Sequence, residues 1–271
     1  DRDKINVQYA RDDRQHTLFS QIRYSFHKWS GDPNDLVSIL GELSTSTYQP
    51  QFDDITRFIW YRSETMSADA VYDFETWKVF ADFLLNYDAL DVRNPKGNAW
   101  GVLEAVIQNT SYDELEYLLV GSDFDPNKRL FNNLTSAHFV TQRTKYLDYV
   151  KVWNLLETFG VDDEVTVDQQ TLLFLLTVDS WVAPHIISDQ KLEPNYKDFL
   201  LFLLRQGSPL IDNDNNGSEP MNLVQANISD VELIGEFLDY TKNINFKFRT
   251  DGSNIFNFAC QNSTHPEVFD L

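Results

Sequence analysis

LLFLLRQGSPLIDNDNNG, residues 200–217, runs directly into SEPMNLVQANISDVELIGEFLDYTKNINFKFRTDGSNIFNFA, residues 218–259. An apolar helix tail ends at Gly207, a polar hairpin peaks at Gly217, and a short helix starts at Glu219. A second helix ends near Tyr240, and the same hairpin returns at Gly252, 35 residues after the first. Apolar residues in each short helix are spaced for one buried face. Pro220 falls in a first helical turn, where its missing N–H has no partner to lose. Glycine at a hairpin tip reaches positive φ without steric cost. The stretch is a repeat, and each copy buries its apolar face only against its neighbours.

The two copies are Gly217-Ser218-Glu219-Pro220-Met221-Asn222-Leu223-Val224 and Gly252-Ser253-Asn254-Ile255-Phe256-Asn257-Phe258-Ala259. They resemble the ankyrin motif Gly-x-Thr-Pro-Leu-His-x-Ala in degenerate form. Indexed by the residue in the family's Thr position, the repeats fall at Thr17, Thr56, Ala99, Thr135, Thr171, Glu219 and Asn254, with spacings of 39, 43, 36, 36, 48 and 35. The family period is about 33, so each repeat carries an insertion, and insertions map to loops. The resemblance implies an all-α fold: an ankyrin-like α-solenoid of about seven irregular helix-turn-helix repeats with short hairpin fingers. The repeats lie near 15–50, 51–94, 95–130, 131–166, 167–213, 214–248 and 249–271 of a single elongated domain, with the first two divergent.

In order, HTLFSQIRYSF and NDLVSILGEL read as the inner and outer helices of the first repeat, and ITRFIWYRS and DFETWKVFADFLLNYDALDV as those of the second. Phe74, Trp77, Val79, Phe80, Phe83 and Leu84 give the latter a wide apolar face. YDELEYLLVGSDFDP reads as an outer helix ending in a glycine cap. The fourth repeat keeps Thr135 and His138, which in the family tie hairpin to inner helix. The fifth has TLLFLLTVDSW as an almost wholly apolar inner helix expected to be buried on both sides, followed by the longest insertion, with Trp181, Pro184, His185 and Pro194. The chain stops within the seventh repeat without a polar cap, so it reads as a segment of a longer protein.

Composition narrows function. Hydrophobic content of 42% and aromatic content of 14% belong to a folded chain with a large core. No apolar run approaches the ~20 residues that cross a bilayer, so no membrane partner is expected. One cysteine fits a cytoplasmic or nuclear location. The net charge is −20, and between Val161 and Asp239 fifteen acids face only Lys191, Lys197 and Arg205. That field repels phosphate backbones, which argues against direct nucleic-acid binding, and its complement is a basic protein segment.

Chemistry finds little footing. The five histidines are spread over four repeats, and no HExxH, CxxC, GxSxG or phosphate loop is present. Cys260 follows Ala259 in an inner helix at a position expected to be buried and inert. The DNDNNG run, Asp212–Gly217, lacks the bidentate Glu of a calcium loop, with Leu223 in its place. No cofactor, no metal and no enzymatic activity are expected.

The resemblance implies a protein–protein interaction module whose concave groove is lined by hairpin tips and inner-helix ends. Carried over, the tips are Pro95, Lys96 and Asn98, then Asp168 and Gln170, then Asn215, Asn216 and Ser218, then Thr250, Asp251 and Ser253. The helix ends are Glu64, Gln142, Arg143, Asp179, Asn227 and Asn262. Asp214 adds charge beside one tip, and Trp181 offers an aromatic surface in the insertion. The expected occupant is a Lys/Arg-rich segment, a histone tail being the type case. The alternative is a structural scaffold or assembly subunit that docks a folded partner through its insertions and convex face.

Overall fold

The computed structural model describes residues 9–11, 14–16, 33–44, 50, 52–53, 55–56, 59, 74–92, 101–143, 146–164, 166–167, 170–210, 218–241 and 255–270. These residues are mostly helical. A short antiparallel hairpin, β1 (Tyr9–Arg11) with β2 (Arg14–His16), sets Tyr9 opposite His16. No helix among the described residues is long and apolar enough to cross a membrane. The chain divides into two compact units: residues 1–125, 129–132 and 143–146, and residues 126–128, 133–142 and 147–271.

In the first unit, α1 (Pro33–Ser44) packs on α2 (Phe74–Leu85). Pro33 opens α1 and Asp35 lies in its first turn, both suited to a helix N-terminus. Trp77, Phe80, Ala81, Phe83 and Leu84 of α2 are buried, but Phe74 and Val79 are only half-buried, so the apolar face is narrower than the residue pattern implies. Thr56 also departs from expectation. Its neighbours Phe52 and Asp53 are already helical, and its hydroxyl donates to the Phe52 carbonyl at 2.9 Å. This is the back-bonding of a mid-helix threonine, not a cap.

Two short helices follow, α3 (Val102–Asn109) and α4 (Tyr112–Val120). Glu104, wholly buried in α3, accepts from the Gly101 N–H at 2.9 Å and the Phe131 N–H at 3.2 Å. Ser111 and Glu114 form a reciprocal capping box that starts α4. Gly121 does end α4, yet its φ of −78° is right-handed. A Cβ there would meet Leu85 Cδ1 at 2.7 Å and the Tyr117 carbonyl at 3.2 Å, so the glycine permits close approach of α2 and needs no left-handed backbone.

Arg143 closes this unit from within. Its guanidinium is fully buried and donates to the carbonyls of Ile107 and of Thr110, the latter at 2.7 Å, while Nε donates to Tyr146 O at 3.3 Å. These are carbonyls that the end of α3 would otherwise leave without intrahelical donors. Arg143 was expected at the rim of a groove; it is a buried cap because its fork reaches two carbonyls at once.

The second unit consists of helices in two rows. One row contains α5 (Ser136–Phe139, continued by a 3₁₀ turn at Val140–Gln142), α7 (Leu172–Thr177), α10 (Ser218–Gln225) and α12 (Ile255–Asn262). Each packs on the next. The other row contains α6 (Tyr149–Thr158), α9 (Pro194–Gln206) and α11 (Val231–Tyr240), with the 3₁₀ turn Pro266–Asp270 against α11. Across the rows, α5 meets α6, α7 meets α9 and α10 meets α11.

Backbone caps end these helices sharply. Gly207 (φ 93°) donates to Leu204 O, and Ser208 N to Leu203 O. Gly160 (φ 79°) with Val161, and Asn227 (φ 56°) with Ile228, repeat the pattern. All three are Schellman motifs, in which a left-handed residue satisfies the last carbonyls.

One apolar run is not one helix. TLLFLLTVDSW breaks at Val178, whose ψ of 143° is extended, and α8 (Asp179–Val182) begins anew. Phe174 and Leu175 are half-buried, so α7 is not enclosed all round as its composition implies. Thr171 stops the helix from starting earlier, its hydroxyl accepting from Phe174 N at 3.2 Å.

Candidate functional site

The Thr135–His138 pair is the best-defined sequence-derived feature. Thr135 caps α5; its N–H donates to His138 Nδ1 at 3.1 Å, and its hydroxyl lies 3.0 Å from the same nitrogen. An amide can only donate, so Nδ1 carries no proton and the neutral ring holds it on Nε2. Next to it Ser136 donates through both N–H and hydroxyl to the Pro126 carbonyl. His138 is buried, as expected of a structural residue. His138→Ala is expected to lower stability by ~1–3 kcal/mol, because the Thr135 amide loses its acceptor inside the core. Urea denaturation checks this, and a change within 0.5 kcal/mol would remove the structural role.

Asp179 and Trp181 are two of the expected groove residues that the described structure places. Both belong to α8, which packs on α7 and α10. Asp179 is exposed at the helix start, where its charge suits the helix dipole. Trp181 is half-buried, and its neighbour Val182 is fully buried. The backbone of Asn262 ends α12. Glu64, Asp168, Asp214, Asn215, Asn216 and Asp251 lie outside the described residues, as do the hairpin glycines Gly97, Gly217 and Gly252.

Asn227 is a tie between segments. Its carboxamide accepts from Thr264 N at 3.0 Å and donates to Thr264 Oγ1 at 3.2 Å. Asn127 does the same with Gly160 O at 2.9 Å and Asp162 N at 2.8 Å. In both, an asparagine clamps a segment 33 to 37 residues further along, which explains why Asn227 occupies a position that otherwise reads as groove.

Some acids of residues 161–239 pair with the bases of α9 and others stand exposed. Lys197 of α9 pairs with Asp230 at 3.0 Å and Glu232 at 2.6 Å, and Arg205 pairs with Glu236 at 2.8 Å. Asp230 also caps α11 through Leu233 N at 3.1 Å. These outer-row acids stitch α9 to α11. Asp179 and Asp189, by contrast, are exposed on the short helical turns between α7 and α9.

His185, in the insertion, is buried against α9. Its ring stacks on Tyr196 with centroids 4.0 Å apart and 8° between planes, and Tyr149 meets it edge-on at 5.9 Å. Burial pushes its pKa below the usual histidine value, against the opposing pull of Glu193 and the Thr141 backbone. The insertion is therefore partly core. Cys260 is the reverse: it is exposed, because Ala259 is the buried residue and the next position on the helix turns away. Among the described residues no group of three or more His, Cys, Asp or Glu is arranged to hold a metal ion.

A cleft of about 670 Å³ lies between α2 and α4 in the first unit. Phe74, Leu85, Tyr117 and Val120 supply its apolar lining, and Asp82, Asp113 and Glu116 its acids. The Tyr117 hydroxyl donates to Asp82 Oδ1 at 2.6 Å. Its pKa is pushed up to about 12, first by burial and then by Asp82 and Glu75. No protein-family model and no curated protein matches the chain.

Proposed function

We propose that the chain is a protein-binding module of ankyrin-like repeats, and that the face made by the fifth to seventh repeats holds a Lys/Arg-rich extended segment. Two rows of stacked helix pairs in residues 126–271 support the ankyrin-like reading, together with the Thr135–His138 tie at the position the resemblance assigns to it. The observation that carries the binding reading is the local acidity. Fifteen acids against three bases lie between Val161 and Asp239, a stretch that covers the fifth repeat and most of the sixth, and Lys197 and Arg205 are already engaged by acids of α11. A basic segment completes that field, and the complementarity acts on encounter rate and specificity more than on affinity. His138 and His185 are both accounted for by packing and hydrogen bonding, so the reading is binding and not catalysis, in the cytoplasm or nucleus.

The test replaces Asp168, Asp179 and Asp214 together by Asn and titrates a histone-tail peptide and Lys/Arg-rich control peptides at about 0.05 and 0.5 M salt. Three charge pairs at ~0.2–1 kcal/mol each predict roughly a tenfold loss at low salt. The salt dependence should become shallower. Equal affinity and an equal salt slope in the variant would refute the groove.

A further inference from the structure

We propose that the cleft between α2 and α4 is a second docking site, taking a protein segment that inserts an apolar side chain flanked by lysine or arginine. It is separate from the groove above, since its residues all lie in the first compact unit.

Three observations converge on that occupant. The first is unsatisfied apolar surface at the mouth: Val120 is 69% exposed at the end of α4, beside Gly121, whose missing side chain gives Leu85 its place in the wall. The second is charge. Asp82, Asp113 and Glu116 line the cleft, and no Lys or Arg is among the described residues that do. The third is an internal precedent. Lys78 Nζ sits 5.3 Å from the Phe74 ring centroid and 5.9 Å from that of Tyr117, and pairs with Glu75 at 2.6 Å. The rings that line the cleft thus already receive one lysine of the chain itself, with a carboxylate to neutralise it.

The chemistry excludes other occupants. Anionic lipid surfaces and nucleic acids are repelled by the carboxylates. A lysine or arginine lays its methylene stem on apolar surface while its head meets an acid, which matches an apolar wall under an acidic rim. The neighbouring Tyr112 hydroxyl is also held up, first by burial and then by Glu116 and Asp113, as a concentration of negative charge requires.

The experiment pans a phage library of random 12-residue peptides on the full chain. Enriched peptides are synthesised and titrated against the wild type, Val120→Glu and the double variant D113N/E116Q, all three first checked by thermal melting. Peptides carrying Lys or Arg next to Leu, Ile, Met or Phe, weakened at least tenfold by Val120→Glu and at least threefold by D113N/E116Q, are the expected result. Should Val120→Glu fail to fold, the double variant at two exposed positions still decides. Enriched peptides without basic residues, or affinities unmoved by either variant, would overturn the proposal. So would sedimentation showing self-association that Val120→Glu abolishes, because the occupant would then be a second copy of the chain. The Asp168, Asp179 and Asp214 substitutions leave this binding unchanged, which separates its fate from that of the groove.

Discussion

Arg143→Met is expected to lower the unfolding free energy by about 3–5 kcal/mol. Methionine keeps most of the stem volume, so the change tests the guanidinium and not the packing. The Ile107 and Thr110 carbonyls lose their buried donors, and each orphaned acceptor costs about 1–3 kcal/mol. Against this stands the relief of desolvating a cation, which keeps the net effect below the sum of its hydrogen bonds. Arg143→Lys retains the charge but not the planar fork, and a lysine serves the two carbonyls and Tyr146 O less well. It should fall between wild type and methionine. The urea midpoint of the three proteins measures the order, and a loss under 1 kcal/mol for methionine would show that the carbonyls find other donors.

The helices were more legible than the sites. Periodicity located α2, which buries one stripe and exposes the other, while the repeat pattern located α4, α9 and α11. Periodicity failed at TLLFLLTVDSW, where a largely apolar run up to Val178 hides the break there. An extended residue between two helical turns leaves no mark in hydropathy. Thr135 and His138 were readable since their geometry is local, three residues apart on one turn. Arg143 was not, since its partners lie 36 and 33 residues away. The same limit applied to Asn227, which occupies a groove position by spacing and a clamp by structure. Cys260 shows the finest error. One residue of helix phase turns an expected buried thiol outward. The cleft between α2 and α4 was invisible because it is made by two helices well separated in the chain, neither unusual alone.

The second large effect is expected at Tyr196. Its ring is completely buried, stacked on His185 and set edge-on to Tyr149 at 6.1 Å, while its hydroxyl donates to the Leu176 carbonyl near the end of α7. Tyr196→Ala removes ring and hydroxyl together and is expected to cost about 3–5 kcal/mol, as large aromatic truncations in a core do. Tyr196→Phe keeps the ring and orphans only Leu176 O, for roughly 1–2 kcal/mol. The difference between the two variants measures what the aromatic stack contributes. A separate readout comes from His185. Its pKa is low because burial disfavours the imidazolium, so opening a cavity at position 196 to water should move it back up toward 6.5. Followed by NMR titration, the imidazole should shift upward in Tyr196→Ala and stay low in Tyr196→Phe. Equal costs for the two substitutions would assign the stability to the hydrogen bond alone. An unmoved His185 in the alanine variant would mean that its burial comes from Tyr149 and the insertion itself, and that the stacked ring is not what keeps water away.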